Sequence, residues 1–273
     1  LALEKGFKVT VFDNLSTSSK INVNKNTNFI LGSINSSNDL KNLFTKEKYD
    51  VLIHLAASKA AGESMKNPLK YAKNNILGGI NLLSYSIESG IKRFVFSSSA
   101  AVYGFPQYNP IDEKHHLDPS NYYGYTKLLI ERNLTWFSKL KDIKFASLRY
   151  FNAAGFDSLH RIEGLEDNPQ NLIPIVMEVA ARKQKKMKIY GNDYETEDGT
   201  GIRDYVHVSD LARAHIDSLE YLENKQKNLI VNLGVGRGYS VFEVIKKVEE
   251  VTKVKINYQI VQRRFGDTKE VIA

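Results

Sequence analysis

Tyr123 and Lys127 stand four residues apart in a stretch with helical patterning, a spacing that sets both on one helix face. A free phenol titrates at about pH 10 and is a poor base at neutral pH. A neighbouring ammonium favours the phenolate. Such a pair takes a proton from a substrate hydroxyl. The spacing alone is unspecific, because Tyr221 and Lys225 share it. Context separates the two pairs. Ser97-Ser98-Ser99 ends an apolar run, and its hydroxyls are placed to bond the same substrate oxygen as Tyr123. Tyr221/Lys225 sits at a helix end with no such partner. The competing reading of Tyr123/Lys127 is a pair of surface helix residues.

The elements that must carry these groups alternate in type. Apolar runs at Phe7–Phe12, Asn28–Leu31, Asp50–Ala57, Lys92–Ser98, Lys144–Tyr150 and Leu229–Leu233 read as buried strands. Helical patterns lie at Asp39–Lys46, Pro68–Ser89, Tyr123–Leu140, Leu172–Arg182, Asp210–Leu222 and Ser240–Val251. Strands alternating with helices predict an α/β fold with a Rossmann-type doubly wound parallel sheet. Ligands of such sheets bind beyond the carboxyl ends of the strands. The informative positions are then Asp13, Ser33, Ala56-Ala57, Ser97–Ser99 and Tyr150-Phe151-Asn152. After Asn152 the rhythm changes. Ala153–Gln170 and Gly191–Arg203 read as long polar loops, and connections of that length are functional or disordered. They predict a smaller α/β substrate-binding domain from residues 151–203 and 236–273, beside a nucleotide-binding domain from residues 1–150 and about 204–235.

Composition narrows the function classes. The chain has 273 residues, 42% of them hydrophobic and 25% charged, with a net charge of +7. That is an ordinary globular mix. No apolar run is long enough for a transmembrane helix, and no secretory signal is visible. Cysteine is absent, which excludes disulfides, thiolate metal sites and a cysteine nucleophile and is compatible with a cytoplasmic setting. The basic run Arg182–Lys188 lacks interleaved aromatic residues and any recognition module, so it reads as a solvated helix end rather than a nucleic-acid surface. The six His show no metal-ligand spacing. His115-His116 reads as solvated, His54 as a core histidine, and His207 as either. No Gly-x-Ser-x-Gly elbow is present, which argues against a serine hydrolase.

Asp13 ends an early apolar run. In a dinucleotide fold an acid there bonds the adenosine ribose and favours NAD over NADP; the competing reading is a turn residue. The matching glycine-rich phosphate loop and first strand would lie about 20 residues upstream, before Leu1. Leu1–Lys5 reads as the last turn of a helix stopped by Gly6, and the sequence is expected to be a piece of a longer chain. Gly234-Val235-Gly236-Arg237-Gly238 imitates such a loop, but no apolar strand ending in an acid follows at the right distance. It reads as a tight strand-to-helix turn.

Taken together, the chain resembles the UDP-glucose (UDP-galactose) 4-epimerases of the extended short-chain dehydrogenase/reductase family. The resemblance rests on Val11–Leu15, His54–Ser64, Ser97–Gly104, Tyr123–Lys127, Leu148–Asn152, Glu197–Val208 and Arg263–Asp267. It implies tightly held NAD. Asp13 and Asn14 would hold the adenosine ribose. Ser33 and Ile34 would lie near the adenine. Leu55, Ala56, Ala57, Lys59, Asn74 and Phe151 would line the rest of the cofactor. It also implies that Ser99, Asn152, Asn171, Leu172, Tyr190, Arg203, Arg264, Asp267 and Val271 hold a UDP-sugar. Tyr123 would remove the 4-OH proton, Ser99 would share that bond, and Lys127 would tune Tyr123 and hold the nicotinamide ribose. Homodimers are common in the family.

Two further positions depart from its pattern. Ser33 stands where an Asp usually faces the adenine. Val271 fills the position whose size gates N-acetylated sugars, and its small side chain predicts turnover of UDP-GalNAc and UDP-GlcNAc. Two other readings compete. A sibling dehydratase or decarboxylase would need an acid and base just after the serines, where Ala100-Ala101 stands. A non-catalytic binding protein would follow if the phosphate loop is lacking.

Overall fold

The computed structural model describes residues 1–17, 19–157, 159–162, 169–264 and 266–273. Within these, β1 (Thr10–Asp13) and β2 (Asn28–Leu31) pair in parallel. They are followed by α1 (Ser37–Lys46), β3 (Val51–His54), α2 (Ala61–Lys66) and α3 (Pro68–Tyr71). The chain then continues through a π-helical turn, Ala72–Leu77, into α4 (Gly78–Glu88). Next come β4 (Arg93–Ser99), α5 (Tyr122–Leu140) and β5 (Lys144–Tyr150).

β6 (Asn152–Ala154), α6 (Leu172–Ala180), β7 (Met187–Tyr190), β8 (Ile202–His207), α7 (Val208–Lys225) and β9 (Leu229–Leu233) complete the middle of the chain. The last elements are β10 (Gly238–Ser240), α8 (Val241–Thr252), β11 (Tyr258–Val261) and β12 (Glu270–Val271).

The order β3-β4-β5-β9 is parallel throughout, and its two faces are covered by different helices. Phe94, Phe96 and Phe145 point to one face, against Leu83 of α4 and Ile130 and Leu134 of α5. Val95, Ala146 and Leu148 point to the other, against Ile216, Leu219 and Leu222 of α7. The side-chain alternation of each strand therefore feeds two cores. The β1–β2 pair is a separate sheet among the described residues. It is fastened by Phe12 and Ile30, which pack with Leu40 and Leu43 of α1 and Leu82 of α4. The fold is the expected α/β, Rossmann-type architecture.

A smaller assembly carries its own core. Val176 and Val179 of α6 and Val244 and Ile245 of α8 pack on Met187 and Ile189 of β7. β7 pairs with β11. Beside it, β8 is flanked by β10 and β12, with β6 also paired to β8.

Several expectations need correction. The strand expected over Asp50–Ala57 ends at His54, so Leu55, Ala56 and Ala57 form an irregular segment at its carboxyl end. The single helix expected over Pro68–Ser89 is interrupted by the wider turn at Ala72–Leu77. The segment expected as a loop up to Arg203 becomes β8 from Ile202, and Ala153-Ala154 belongs to β6. The rest of the expected loop includes 158 and 163–168, outside the described residues, as is Phe265 of the last motif. His115 is not solvated. It is buried between Tyr103 and Tyr108, and its Nε2 accepts the Gln107 amide at 2.9 Å. Leu1–Gly6 does form one helical turn, closed by Lys5 N–H to Leu1 O and by Gly6 at φ +83°.

Candidate functional site

Tyr123 lies in the first turn of α5, whose Asn121 caps the Gly124 amide at 2.9 Å. Gly124 is required there by a close approach: a Cβ would come within 2.3 Å of Ala101 O. Ala101 belongs to the turn after Ser99, so α5 can seat against the end of β4 only without that side chain. Ser99 hydrogen-bonds the half-buried Tyr123. Lys127 is buried, 3% exposed, and its Nζ donates to Ser97 O at 2.7 Å. It also sits 5.8 Å from the Tyr123 ring centre.

The electrostatics differ from expectation in one respect. Burial raises the Tyr123 phenol, and the bond to Ser99 opposes that rise. Lys127 does not lower it in this arrangement. Its own ammonium is pushed down to about 7 by burial, with Glu131 acting to raise it.

Most of the expected cofactor residues lie at or just beyond the carboxyl ends of β1, β2 and β3 or in the π-helical turn. Asp13 ends β1 and uses Oδ1 to accept the Leu15 amide at 2.6 Å, while Asn14 is exposed. Ser33 is occupied in the turn before α1, donating its amide to Asp39 and accepting the Asn35 amide on its hydroxyl. Ile34 is a core residue, 7% exposed, so only its backbone is free to face a ligand. Leu55 is 61% exposed despite its apolar side chain, and Ala56, Ala57 and Lys59 follow it. Asn74 sits in the π-helical turn, accepting from Asn35 and donating to Ser58. Such turns recur at functional sites.

These residues fit NAD. The Asp13 carboxylate at the end of β1 is an acceptor of the kind a ribose hydroxyl needs, an exposed apolar ledge begins at Leu55, and the buried Asn35 Oδ1 has no hydrogen-bond partner among the described residues. Phe151 is buried, in one cluster with Ala100 and Tyr103. Its side chain is therefore held in the core beneath the turn after Ser99.

Of the expected substrate residues, Tyr190, Arg203, Arg264 and Asp267 form a second group. The Arg264 guanidinium lies 4.6 Å from the Tyr190 ring centre, and its Nε donates to Asp267 Oδ2 at 2.9 Å. Burial lowers the Arg203 guanidinium, and Asp267 counteracts it. Asn152 donates to Asp204 O at 3.2 Å, which ties β6 to β8. Asn171 is exposed at the start of α6, and Leu172 packs into its core. Val271 pairs with Arg203 in the β12–β8 register and packs against the cluster of Ala100 and Phe151. It links the second group to the turn after Ser99.

Two acids that hold this arrangement were not singled out from sequence. Asp204 is fully buried and accepts the amides of Val235, Gly236 and Ala273 at 2.9 to 3.2 Å. The Gly234–Arg237 turn leads into β10 rather than straight into the helix expected from sequence, and spends the amides of Val235 and Gly236 on a carboxylate of its own chain. Asp198 takes the Thr200 amide and hydroxyl and the hydroxyl of Ser240, the N-cap of α8. Both lie within Glu197–Val208, whose specificity was legible although the acids' role was not.

A Rossmann-type sheet with a Tyr–Lys helix pair beneath a serine strand end defines a nucleotide-dependent short-chain dehydrogenase/reductase class. Residues 1–234 match the NAD dependent epimerase/dehydratase family, and the chain belongs to it. The chain is 42% identical over 272 residues to a UDP-glucose 4-epimerase of Halalkalibacterium halodurans, covering 99% of this chain and 81% of that protein. Its structure is similar to UDP-glucose 4-epimerase from Bifidobacterium longum in complex with NAD+ and UDP. The TM-score is 0.95 at 35% identity, covering 100% of this chain and 84% of that one. It is also similar to the UDP-Glc/GlcNAc 4-epimerase of Campylobacter jejuni, with TM-score 0.83 at 38% identity and coverage of 99% and 84%. Among the described residues, no helix is long and apolar enough to cross a membrane.

Proposed function

We propose that this chain interconverts UDP-galactose and UDP-glucose by NAD-dependent 4-epimerisation through a 4-keto sugar. The observation that carries the reading is the convergence of Ser99, Tyr123 and Lys127, joined through Val271 to the Tyr190, Arg203, Arg264 and Asp267 group. In this reading Tyr123 acts as the phenolate, having given up its own proton against the pull of burial; its oxygen takes the proton of the sugar 4-OH, and Ser99 bonds the same oxygen of the substrate. Lys127 presents its ammonium beside them. When bound, NAD would supply reversible hydride transfer at the sugar C4, so no net oxidation occurs.

The cofactor would be held by Asp13, Asn14, the backbone at Ser33 and Ile34, Leu55, Ala56, Ala57, Lys59, Asn74 and Phe151. Arg203 and Arg264 would bind the diphosphate through charge-assisted bonds. Asn152, Asn171, Leu172, Tyr190 and Asp267 would place uridine and sugar. The division into domains belongs to the same proposal: residues 1–150 and about 204–235 for NAD, residues 151–203 and 236–273 for the UDP-sugar. Two separate cores, one on β4–β5 and one on β7, support it.

Turnover of UDP-GalNAc and UDP-GlcNAc is part of the proposal, supported by the small Val271 and by the relative from C. jejuni. A cytoplasmic homodimer completes it. Exposed Leu69, Leu77, Tyr125 and Trp136 on α3, the π-helical turn and α5 support the dimer.

The test is incubation of the purified chain with UDP-galactose and with UDP-GalNAc, reading products by anion-exchange chromatography. Formation of UDP-glucose without accumulation of reduced cofactor is expected. No conversion of either substrate, with NAD bound, would overturn the reading. Light scattering tests the dimer, with a mass near 31.0 kDa counting against it.

A further inference from the structure

The end of β4 is tied to α5 at successive residues. Lys127 Nζ donates to Ser97 O at 2.7 Å, Ser98 Oγ donates to Glu131 Oε1 at 2.5 Å, and Ser99 bonds Tyr123. Tyr123, Lys127 and Glu131 recur every fourth residue and so form one stripe of the helix. The proposed chemistry uses Tyr123 and Lys127 but gives Glu131 no part.

Glu131 is 2% exposed and Arg149 is 2% exposed. The pair is bidentate: Arg149 Nε meets Oε1 at 3.0 Å and Nη2 meets Oε2 at 2.7 Å. Arg149 is also the register partner of Ser98 across β4–β5. Its Nη1 donates to Tyr103 OH at 2.9 Å, and that hydroxyl donates to Asn232 Oδ1 at 2.6 Å. A buried ion pair is a weak source of stability, since apolar residues of like volume serve as well or better. This one is fully hydrogen-bonded and lies one helical turn behind Lys127.

We infer that Glu131 and Arg149 are positioning residues for the reaction, clamping Ser98 so that its neighbours Ser97 and Ser99 hold Lys127 and Tyr123 in register, and setting a fixed negative charge beneath Lys127. The inference rests on the function proposed above. The clamp acts through geometry, because Ser98 lies between the residues that engage the Tyr–Lys pair. It also acts through charge, because the Glu131 carboxylate counters the burial that depresses Lys127.

The other groups around Lys127 leave that role to Glu131. From β3, His54 is held at about 3 by burial and so is neutral. β4 offers the Phe96 ring and the Ser97 carbonyl. From β5, Arg149 pairs with Glu131, and of the two it is Glu131 that acts on the Lys127 ammonium. Ser64 of α2 and Asn75 of the π-helical turn meet α5 as uncharged groups. Tyr71 of α3 is neutral, its phenol raised by burial.

The test compares Glu131→Gln, Ser98→Ala and the double variant Glu131→Leu/Arg149→Met in the full chain. It reads kcat and KM for UDP-galactose, the melting temperature, and the pH midpoint of the Lys127 13Cε resonance. Glu131→Gln should lower kcat by at least about tenfold, since small misplacements of catalytic groups cost that much or more. KM should stay within about twofold, as for loss of an interaction made only in the transition state. The Lys127 midpoint should move to lower pH. The double variant should regain the wild-type melting temperature and still turn over about tenfold slowly. Ser98→Ala, which spares the ion pair, should lower kcat in the same direction.

Wild-type kcat and a wild-type Lys127 midpoint in the double variant would overturn the inference, leaving the pair a purely structural role. If the variants with a lone charge do not fold, the double variant and Ser98→Ala decide. Failure of the wild-type chain to convert UDP-galactose would instead strike the functional reading, and the Lys127 midpoint would still judge the coupling.

Discussion

Arg203 and Val271 are register partners in the parallel β8–β12 pair, so their side chains leave the same face of the small sheet. The cation assigned to the diphosphate and the residue assigned to the sugar's N-acetyl group are thereby fixed relative to each other. Val271→Tyr should reduce kcat/KM for UDP-GalNAc by about a hundredfold, because an added bulky side chain discriminates strongly only where the pocket cannot give. Turnover of UDP-galactose should persist. Competition assays with both substrates check the ratio, and equal losses on both would refute a gating role.

Tyr123→Phe removes only the ionisable oxygen. Its kcat should fall by about 10²- to 10⁴-fold, the usual range for a positioned proton-transfer group. The fold should be retained, because the ring keeps its place against Lys127. Circular dichroism and single-turnover assays test the two halves of the statement separately.

Lys127 gives a pH signature. Its folded pKa is about 7 against an ordinary 10.5. Between those values the unfolded chain binds the proton that the folded chain has released, so stability rises with pH across that window. Below about 7 both states are charged and the full cost of burying the ammonium remains. Lys127→Met should therefore raise the melting temperature most near neutral pH, with the gain shrinking towards pH 10.5. A gain independent of pH would show that the buried amine is not depressed.

Gly124→Ala would press a methyl group onto the Ala101 carbonyl, 2.3 Å away. The helix start must then move off the turn after Ser99, parting Tyr123 from its serine. We expect kcat to drop by about a hundredfold, the scale of a misplacement of roughly 1 Å. The UDP affinity, read by calorimetry, should change little because that group lies on other elements.

Asp204→Asn leaves one carbonyl oxygen to serve three amides now shared between two carboxylate oxygens. Stability should fall by about 1–3 kcal/mol, the cost of a buried donor left unsatisfied. KM for UDP-sugars should rise as β12 loosens. Urea denaturation and steady-state kinetics check both.

The parallel sheet was legible because each of its strands lies in an apolar run and the segments between them carry helical patterning. The chemistry was legible because Tyr123, Lys127 and Ser99 sit at strand and helix ends. What escaped sequence reading depends on distant partners. β8, β10 and β12 are short and polar, and exist through pairing rather than propensity. His115 looked solvated because nothing local shows that Tyr103 and Tyr108 enclose it. Asp204 acts on residues 31 to 69 positions away. The amphipathic pattern of Pro68–Ser89 likewise conceals the turn of different pitch that places Asn74 and Asn75.

The reach of Asp204 has a bearing on biosynthesis. Tyr123, Lys127 and the serines are all made within the first half of the chain, and their sheet needs only β9 to close its far edge. The wall carrying Val271 is secured by late residues: β12 pairs with β8, the Ile272 carbonyl accepts the Ile111 amide, and the amide of Ala273 meets the carboxylate of Asp204. On a translating ribosome the proton-transfer pair would mature early, while the sugar-selecting wall would wait for the arrival of residues 271–273. Nascent chains halted before that point would hold the reactive groups with the specificity strand still unbound.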